Sequence, residues 1–281
     1  MASSALASVP ALYEERLKLY SAIMAQLGAR PGNTRFHCEY LFEGIELRGK
    51  TMLDVGAGDG RYSFYAACAG AGRAVCLEPE AEGSSSGMQE RFRRAAAQLG
   101  SDQVELVPQR FQDYDPGGET FDVLLLHGSI NHLDEEACIR LHCDPAAQDV
   151  YRTLFEKLAG LTPAGGKLIV TDASPQNLFP RLGIKNRISR NIEWHKHQTP
   201  ELWAQLLGET GFREPRIRWA TFNTLRSPGR LLLGNRLAAY CLTSSFCLTM
   251  ERAPTSRDHV SRQNGPEAEQ VEAPTRARRA G

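Results

Sequence analysis

The feature that most constrains the fold is a short apolar run that leads into a glycine-rich turn. Residues 51–55 (TMLDV) are followed directly by 56–60 (GAGDG). A run this short and this apolar is typical of a strand that is buried on both faces of a parallel sheet. Residues 61–69 have the pattern of a helix that leaves the turn. The sequence therefore predicts a strand–turn–helix unit beginning at residue 51.

The same alternation continues along the chain and predicts one α/β domain. Apolar runs predict further strands, and periodic segments predict the helices between them. The predicted fold is a Rossmann-like, doubly wound, seven-stranded, mostly parallel sheet with helices on both faces. Helical patterns at 11–27 and 36–45 precede it. The domains expected are an N-terminal helical cap or lid (1–50), the α/β domain (51–252) and a disordered tail (253–281), which contains no aromatic residue. The other predicted strands are 74–78, 104–107, 121–126, 167–171, 216–221 and 246–251, and the other predicted helices are 88–99, 146–161 and 200–210.

The charge balance and the cysteine content indicate which partners and which cellular compartment to expect. Lys plus Arg and Asp plus Glu both number 33, so the formal net charge is zero and no nucleic-acid partner is expected. The seven cysteines form no Cys-x-x-Cys pair, which favours reduced thiols and a cytoplasmic location. The start lacks the basic region of a signal peptide, and the apolar stretch 231–250 is too polar for stable membrane insertion.

The spacing of the glycines distinguishes between the classes of ligand that such a turn can bind. A dinucleotide site has the pattern Gly-x-Gly-x-x-Gly; counted from Gly56, its third glycine would stand at position 61, where this chain has Arg61. The Gly-Lys-Ser/Thr sequence of a P-loop does not occur. The pattern present is Asp-x-Gly-x-Gly-x-Gly, which resembles motif I of the class I methyltransferases that use S-adenosyl-L-methionine (SAM). Two acidic positions at strand spacing, a strand-four motif and a Gly-Gly turn before strand five extend this resemblance, in order, over about residues 36–251.

The resemblance implies a set of residues that bind SAM. Asp54 is expected to order the turn and hold the amino group, and Glu78 is expected to accept hydrogen bonds from the ribose hydroxyls. The adenine contact is open: one alignment puts Arg110 in the usual acidic position, and another uses Asp113, with Phe111 either stacking on the ring or lying in the core. The expected cofactor-binding set is Asp54, Gly56, Ala57, Gly58, Glu78, Phe111, Asp113 and His127.

The acceptor is expected to lie beyond strand four, at 127–133 (HGSINHL). This segment lacks an Asn/Asp-Pro-Pro-Tyr motif and is more similar to the Ser-Ile-x-His-Leu segment of small-molecule methyltransferases. Asn131 and His132 are expected to face the acceptor, although His132 has an alternative role in capping or packing. His127 either lines the SAM pocket or takes part in chemistry. The segment 193–200 (EWHKHQTP) adds His195 as part of an acceptor lid, and no metal site is expected.

The sequence thus predicts methyl transfer from SAM to an oxygen or nitrogen of a small molecule. The candidate catalytic residues are His132, His127 and His195, one of them acting as base if a base is used. Two other functions stay open: a methyltransferase-like module that binds SAM or a partner without turnover, and a nicotinamide-dependent oxidoreductase. The role of the apolar, basic insertion 225–241 is also open: it could cover an apolar substrate, contact a membrane surface, pack against the domain or form a homodimer contact.

Overall fold

The computed structural model describes residues 9–80, 86–100 and 102–254. The predicted tail lies outside these residues from 255 onward, so its predicted disorder stays a prediction. Within the described part of the chain, none of the helices is both long and apolar enough to cross a membrane.

Seven strands of the described chain form one sheet, in the order β3-β2-β1-β4-β5-β7-β6. The first five strands pair in parallel, and β7 lies antiparallel to both β5 and β6. The predicted fold class, with a mostly parallel sheet, is therefore confirmed. The strands are β1 (Thr51–Val55), β2 (Arg73–Leu77), β3 (Val104–Val107), β4 (Val123–His127), β5 (Lys167–Ala173), β6 (Phe212–Trp219) and β7 (Ser245–Arg252).

The helices connect the strands and cover both faces of the sheet. They are α1 (Val9–Gln26), α2 (Pro31–Leu41), α3 (Arg61–Cys68), α4 (Met88–Leu99), α5 (Glu135–Arg140), α6 (Pro145–Gly160), α7 (Leu178–Arg181), α8 (Pro200–Glu209), α9 (Arg226–Leu233) and α10 (Arg236–Cys241). Two hydrophobic clusters lie on the two faces. In β1, Met52 belongs to the cluster with α1, α2 and α3, while Leu53 belongs to the cluster with α6 and α8. Alternate side chains of each strand thus enter opposite cores.

The sequence placed most elements within a few residues of their observed bounds, and the exceptions have local causes. Helix α2 begins at Pro31, earlier than predicted, because proline is favoured in the first turn of a helix. Helix α5 was not predicted, and it begins where Asp134 caps it by accepting a hydrogen bond from the Ala137 amide. The insertion 225–241 folds into α9 and α10.

The turn after β1 is packed tightly enough to make Gly60 a test of the fold. Gly60 has a left-handed φ of 74°, and a Cβ there would lie 2.6 Å from Phe92 Cε2 and 2.9 Å from Phe64 Cε2. The left-handed conformation alone costs a residue with a Cβ about 1–2 kcal/mol. Overpacking of the two rings adds about 1–3 kcal/mol.

We therefore expect Gly60→Ala to lower the free energy of unfolding more than Gly100→Ala does. Gly100 is the matched control because its φ is 60° and nothing lies within 4 Å of its added Cβ. The expected difference is about 1–3 kcal/mol in urea denaturation. Equal losses in the two variants would show that the aromatic contacts do not constrain this turn.

Candidate cofactor and acceptor site

The candidate site lies at the edge of the sheet where the parallel strands end. The strand order reverses between β1 and β4, which are neighbours in the sheet although β2 and β3 separate them in sequence. Ligands of open α/β sheets bind in the crevice beyond the strand ends at such a reversal. The glycine turn after β1 and the segment after β4 both begin at this point.

The glycines of the turn serve two different purposes. Gly56 has a φ of 75°, and a Cβ on it would lie 2.7 Å from Ser129 Cβ. Gly56 therefore allows the turn to touch the segment after β4, and Ser129 Oγ also donates a hydrogen bond of 2.5 Å to the Val55 carbonyl. Gly60, left-handed as well, is the residue before α3. The helix N-terminus that follows presents backbone N–H groups beside the turn.

Asp54 is fully buried at the end of β1 and is incompletely paired. Its Oδ2 accepts a hydrogen bond of 2.8 Å from Ser63 Oγ, whereas its Oδ1 has no partner. Burial, together with the charges of Glu78 and Asp59, raises the pKa of Asp54 to about 7. A buried acceptor without a donor is unfavourable by about 1–3 kcal/mol. The residue thus fits the cationic amino group of SAM, which would supply the missing donor.

Glu78 directly follows β2, and its carboxylate lies against the glycine turn. Its Oε2 accepts the Gly58 N–H at 2.8 Å, and its Oε1 accepts the Glu80 N–H at 2.9 Å. Only 3% of the residue is exposed. The carboxylate therefore holds the shape of the turn, and its position beside the turn fits the ribose-binding role that the resemblance implies.

A buried ion pair that the sequence analysis missed fixes the outer side of the turn. Asp59 accepts a bidentate contact from Arg61, with N–O distances of 2.8 and 2.6 Å, and a longer contact of 3.2 Å from Arg91 on α4. Burial opposes ionisation of Asp59, but the Arg61 hydrogen bonds and the two positive charges outweigh it and lower its pKa. Asp59 stands in the variable position of the motif, which gave the sequence analysis no reason to single it out.

His127 ends β4 and forms a pair with a histidine of the cap helices. Its Nε2 lies 2.9 Å from Nε2 of His37 on α2, and its ring lies 4.2 Å from the ring of Tyr62 at the start of α3. Burial, and then the neighbouring His37, lower the pKa of His127 to about 3, and burial lowers that of His37 to about 4. Both rings are therefore neutral at pH 7, one donating and one accepting the shared hydrogen bond.

His132 joins the segment after β4 to the segment after β5. Its Nδ1 lies 2.5 Å from Glu135 Oε1, and Lys196 Nζ lies 3.0 Å from the other oxygen of Glu135. Asn131 is buried, and its Oδ1 has no partner. The amide of Asn131 lies 3.4 Å from Nε2 of His132. The two sequence-predicted acceptor residues are thus adjacent, one buried and one exposed.

The segment 193–200 holds a second histidine with a better-defined environment than His195. His197 Nδ1 lies 2.6 Å from Asp172 Oδ1, and Trp203 Nε1 donates to Asp172 Oδ2 at 3.1 Å. His195 is exposed and makes no hydrogen bond or ion pair among the described residues. The sequence signal that pointed to this Asp172–His197 pair was Asp172 itself, the one carboxylate in the largely buried strand β5. Thr199 and Pro200 do cap and begin α8, as predicted.

The two adenine candidates lie in different environments. Phe111 is buried in the cluster with α6 and α8, with Lys157 Nζ 5.1 Å from its ring centroid. Asp113 is exposed. Among the described residues, no group of three or more histidine, cysteine or acidic side chains is arranged to hold a metal ion.

Comparison with known proteins identifies the domain that contains the glycine turn and the segment after β4. Residues 52–150 match the family model described as a methyltransferase domain. A tRNA U34 carboxymethyltransferase from Marinobacter nauticus is 28% identical over 174 residues, which are 61% of this chain and 46% of that protein. The chain thus spans about half the length of the curated relative that it matches.

Two solved structures share the fold. A SAM-dependent methyltransferase from Mesorhizobium loti superposes with a TM-score of 0.51 at 16% identity, covering 74% of this chain and 93% of that one. The [4+2]-cyclase SpnF superposes with a TM-score of 0.53 at 14% identity, covering 79% and 81%. Residues 52–150 thus match a methyltransferase domain, and the sheet that contains them has the fold of SAM-dependent methyltransferases.

Proposed function

We propose that this protein transfers a methyl group from SAM to an oxygen or nitrogen atom of a small-molecule acceptor. The observation that carries the proposal is the buried Asp54 near the end of β1, whose Oδ1 has no partner, together with the Glu78 carboxylate that lies against the turn that follows β1. The seven free cysteines favour a reducing compartment, and we place the reaction in the cytoplasm.

The cofactor-binding residues of the proposal are those of the turn and of its flanking carboxylates. Asp54 binds the amino group, Glu78 binds the ribose hydroxyls, and Gly56, Ala57 and Gly58 let the backbone approach the ligand. When bound, SAM supplies an electrophilic methyl group on a sulfonium. His127, held neutral beside Tyr62, lines the pocket and contributes a hydrogen bond without adding a positive charge. For the adenine, Asp113 is the better candidate because the ring of Phe111 is packed in the core.

The acceptor residues of the proposal come from the two segments that follow β4 and β5. The hydrogen bond between Glu135 and His132, and the ion pair between Glu135 and Lys196, hold these segments together. The Oδ1 atom of Asn131 is buried and has no partner, so it can accept a hydrogen bond from the molecule that is methylated. His132, and more distantly His195, remain candidates for contact with the acceptor.

For a base, if the acceptor arrives protonated, we propose His197. The Asp172 carboxylate accepts the proton on Nδ1, which leaves the Nε2 lone pair as the proton acceptor. Trp203 and the Ala173 amide, at 2.8 Å, hold the carboxylate in place. His127 is the weaker base because a pKa of about 3 is far from a working pH near neutrality.

Two alternative functions are distinguishable from this proposal. The fold is shared with a protein whose title describes a [4+2]-cyclase, so the fold alone does not fix the reaction. The name of the curated relative refers to tRNA, which makes an RNA acceptor the second possibility. A screen of metabolite extracts for SAM-dependent mass gain, run beside a tRNA pool, tests the acceptor class. Methylation of tRNA alone would contradict the small-molecule proposal.

We expect Asp54→Ala and Glu78→Ala each to weaken the binding of SAM and of S-adenosylhomocysteine by about ten- to a hundredfold. Each change removes a charge-assisted contact worth about 1.5–3 kcal/mol. Isothermal titration calorimetry measures the effect, with Glu105→Ala as control because Glu105 is an exposed carboxylate on β3 that pairs with Arg73.

Asp54→Asn, which keeps the shape of the side chain, separates lost binding from misfolding. Unchanged affinity in the Asp54 and Glu78 variants would show that the pocket is misplaced. Tight NADH binding by the wild type without SAM binding would instead support the oxidoreductase alternative.

We expect His197→Gln and Asp172→Asn to lower kcat by about a hundredfold or more while leaving the affinity for S-adenosylhomocysteine unchanged, because a positioned base contributes about 10²–10⁴-fold. His132→Gln is expected to slow transfer in the same way if it contacts the acceptor. The control is His142→Gln, an exposed histidine after α5.

The measurement is a pH profile of turnover with the acceptor found in the screen. Loss of the acidic limb of this profile in His197→Gln supports the base. Wild-type turnover in that variant would remove His197 from the mechanism.

A further inference from the structure

Two segments beside the site are basic and contain no acidic residue, although the chain as a whole has a net charge of zero. Residues 174–192 contain Arg181, Lys185, Arg187 and Arg190 and no Asp or Glu. Residues 219–250 contain Arg226, Arg230 and Arg236 and again no acid. Because basic and acidic residues are equal in number over the whole chain, these two segments are a local concentration of positive charge.

Hydrogen bonds join the two segments into one surface. Asn186 Nδ2 donates to the Leu242 carbonyl at 2.8 Å, and Asn177 Nδ2 donates to the same carbonyl at 3.1 Å. Arg236 also reaches Gln176 Oε1 at 3.4 Å. The surface formed by 178–190 together with α9 and α10 is called the basic apolar face below.

Large apolar side chains on this face are strongly exposed. On α9, Leu231 is 85% exposed and Leu232 is 71% exposed, and on α10 Leu237 is 72% exposed. In the other segment Leu182 is 62% exposed and Ile184 is 55% exposed. Contiguous exposed apolar residues in a soluble fold mark an interaction surface.

The fold leaves much of the positive charge of the face unneutralised. Arg230 pairs with Glu43 and Arg236 pairs with Glu201. Within the described residues, Arg181, Lys185 and Arg187 form no ion pair, and all three are exposed. The face thus combines uncompensated cations with protruding leucines.

A cavity connects the face to the strand-end edge of the sheet. It has a volume of about 320 Å³ and lies between α10 and the ends of β5 and β6. Its lining is Gln176, Trp219, Arg236, Leu237 and Tyr240. Because β5 also carries Asp172 near its end, the face and the proposed acceptor site share one edge of the molecule.

We propose that the basic apolar face docks on an anionic lipid membrane surface. Interleaved cations and exposed leucines match a bilayer interface, where leucines enter the acyl boundary while arginine and lysine contact anionic headgroups. Single-stranded RNA recognition relies on aromatic side chains that stack on bases, whereas the protruding side chains here are aliphatic. A second copy in a symmetric dimer would set the same unpaired cations against each other. The binding is peripheral and requires no spanning helix.

Vesicle flotation of the full chain tests this proposal. We expect binding to phosphatidylcholine vesicles that contain about one third phosphatidylglycerol, and weak binding to phosphatidylcholine alone. Leu231→Ser combined with Leu232→Ser and Leu237→Ser is expected to lower the partition coefficient by about tenfold or more. Lys185→Gln combined with Arg187→Gln is expected to lower it by about fivefold per charge.

The control variants change side chains of the same kinds away from the basic apolar face. Leu19→Ser removes an exposed leucine on α1, and Arg48→Gln with Arg93→Gln removes two exposed cations elsewhere. Affinity for S-adenosylhomocysteine is measured in every variant and is expected to stay at the wild-type value, which separates this proposal from the proposed function.

Binding that is absent, equal on neutral and anionic vesicles, or unaffected by the leucine and cation variants would overturn membrane docking. A protein that does not float with vesicles but binds a tRNA pool tightly would contradict membrane docking. If the cation variants lose this tRNA binding and the leucine variants keep it, the face binds RNA. Self-association at the face, detected by sedimentation and lost in the leucine variants, would identify a second copy as the occupant.

Discussion

The buried carboxylate of Asp54 is the constraint on which the rest of the site depends. Its backbone is part of β1, its Oδ2 anchors α3 through Ser63, and its Oδ1 is left without a partner. Burial raises its pKa to about 7, so a nearby cation would favour the charged form. The glycine turn begins two residues after it, and Glu78, which follows the neighbouring strand β2, holds that turn. A buried carboxylate oxygen without a partner is uncommon in folded proteins, and a bound ligand would supply the missing donor.

The sheet also explains why the proposed chemistry is divided between two faces. The side chains of His127 and Asp54 lie on the face that packs against α2 and α3, whereas Asp172 lies on the face that packs against α8. The proposed donor pocket is therefore formed mainly by the cap helices and the turn, and the proposed base by β5 and the segment that follows it. Glu135, which contacts both His132 and Lys196, joins the segments after β4 and β5 at the edge of the sheet.

The fold was predictable from sequence because β1, β2, β4 and β5 are almost fully buried and are each followed within two residues by a glycine or a proline. The bounds of β1, β3 and α4 agree with the prediction residue for residue. The site was predictable only where residues are adjacent in sequence, as in the turn and Glu78. Three contacts of the site join segments that are distant in sequence, so a local sequence pattern does not predict the pairing. They are the His37–His127 pair, the Arg91–Asp59 contact and the Asp172–His197 pair. The preference for His195 over His197 arose in this way, since only the position of Asp172 distinguishes the two.

The central claim is that the glycine turn and its two carboxylates bind SAM. A crystal structure of the protein with S-adenosylhomocysteine tests it most directly. We expect the amino group of the ligand within hydrogen-bond distance of Asp54 Oδ1 and its ribose hydroxyls within hydrogen-bond distance of the Glu78 carboxylate. A ligand bound elsewhere, with Asp54 Oδ1 still unpaired, would contradict the account.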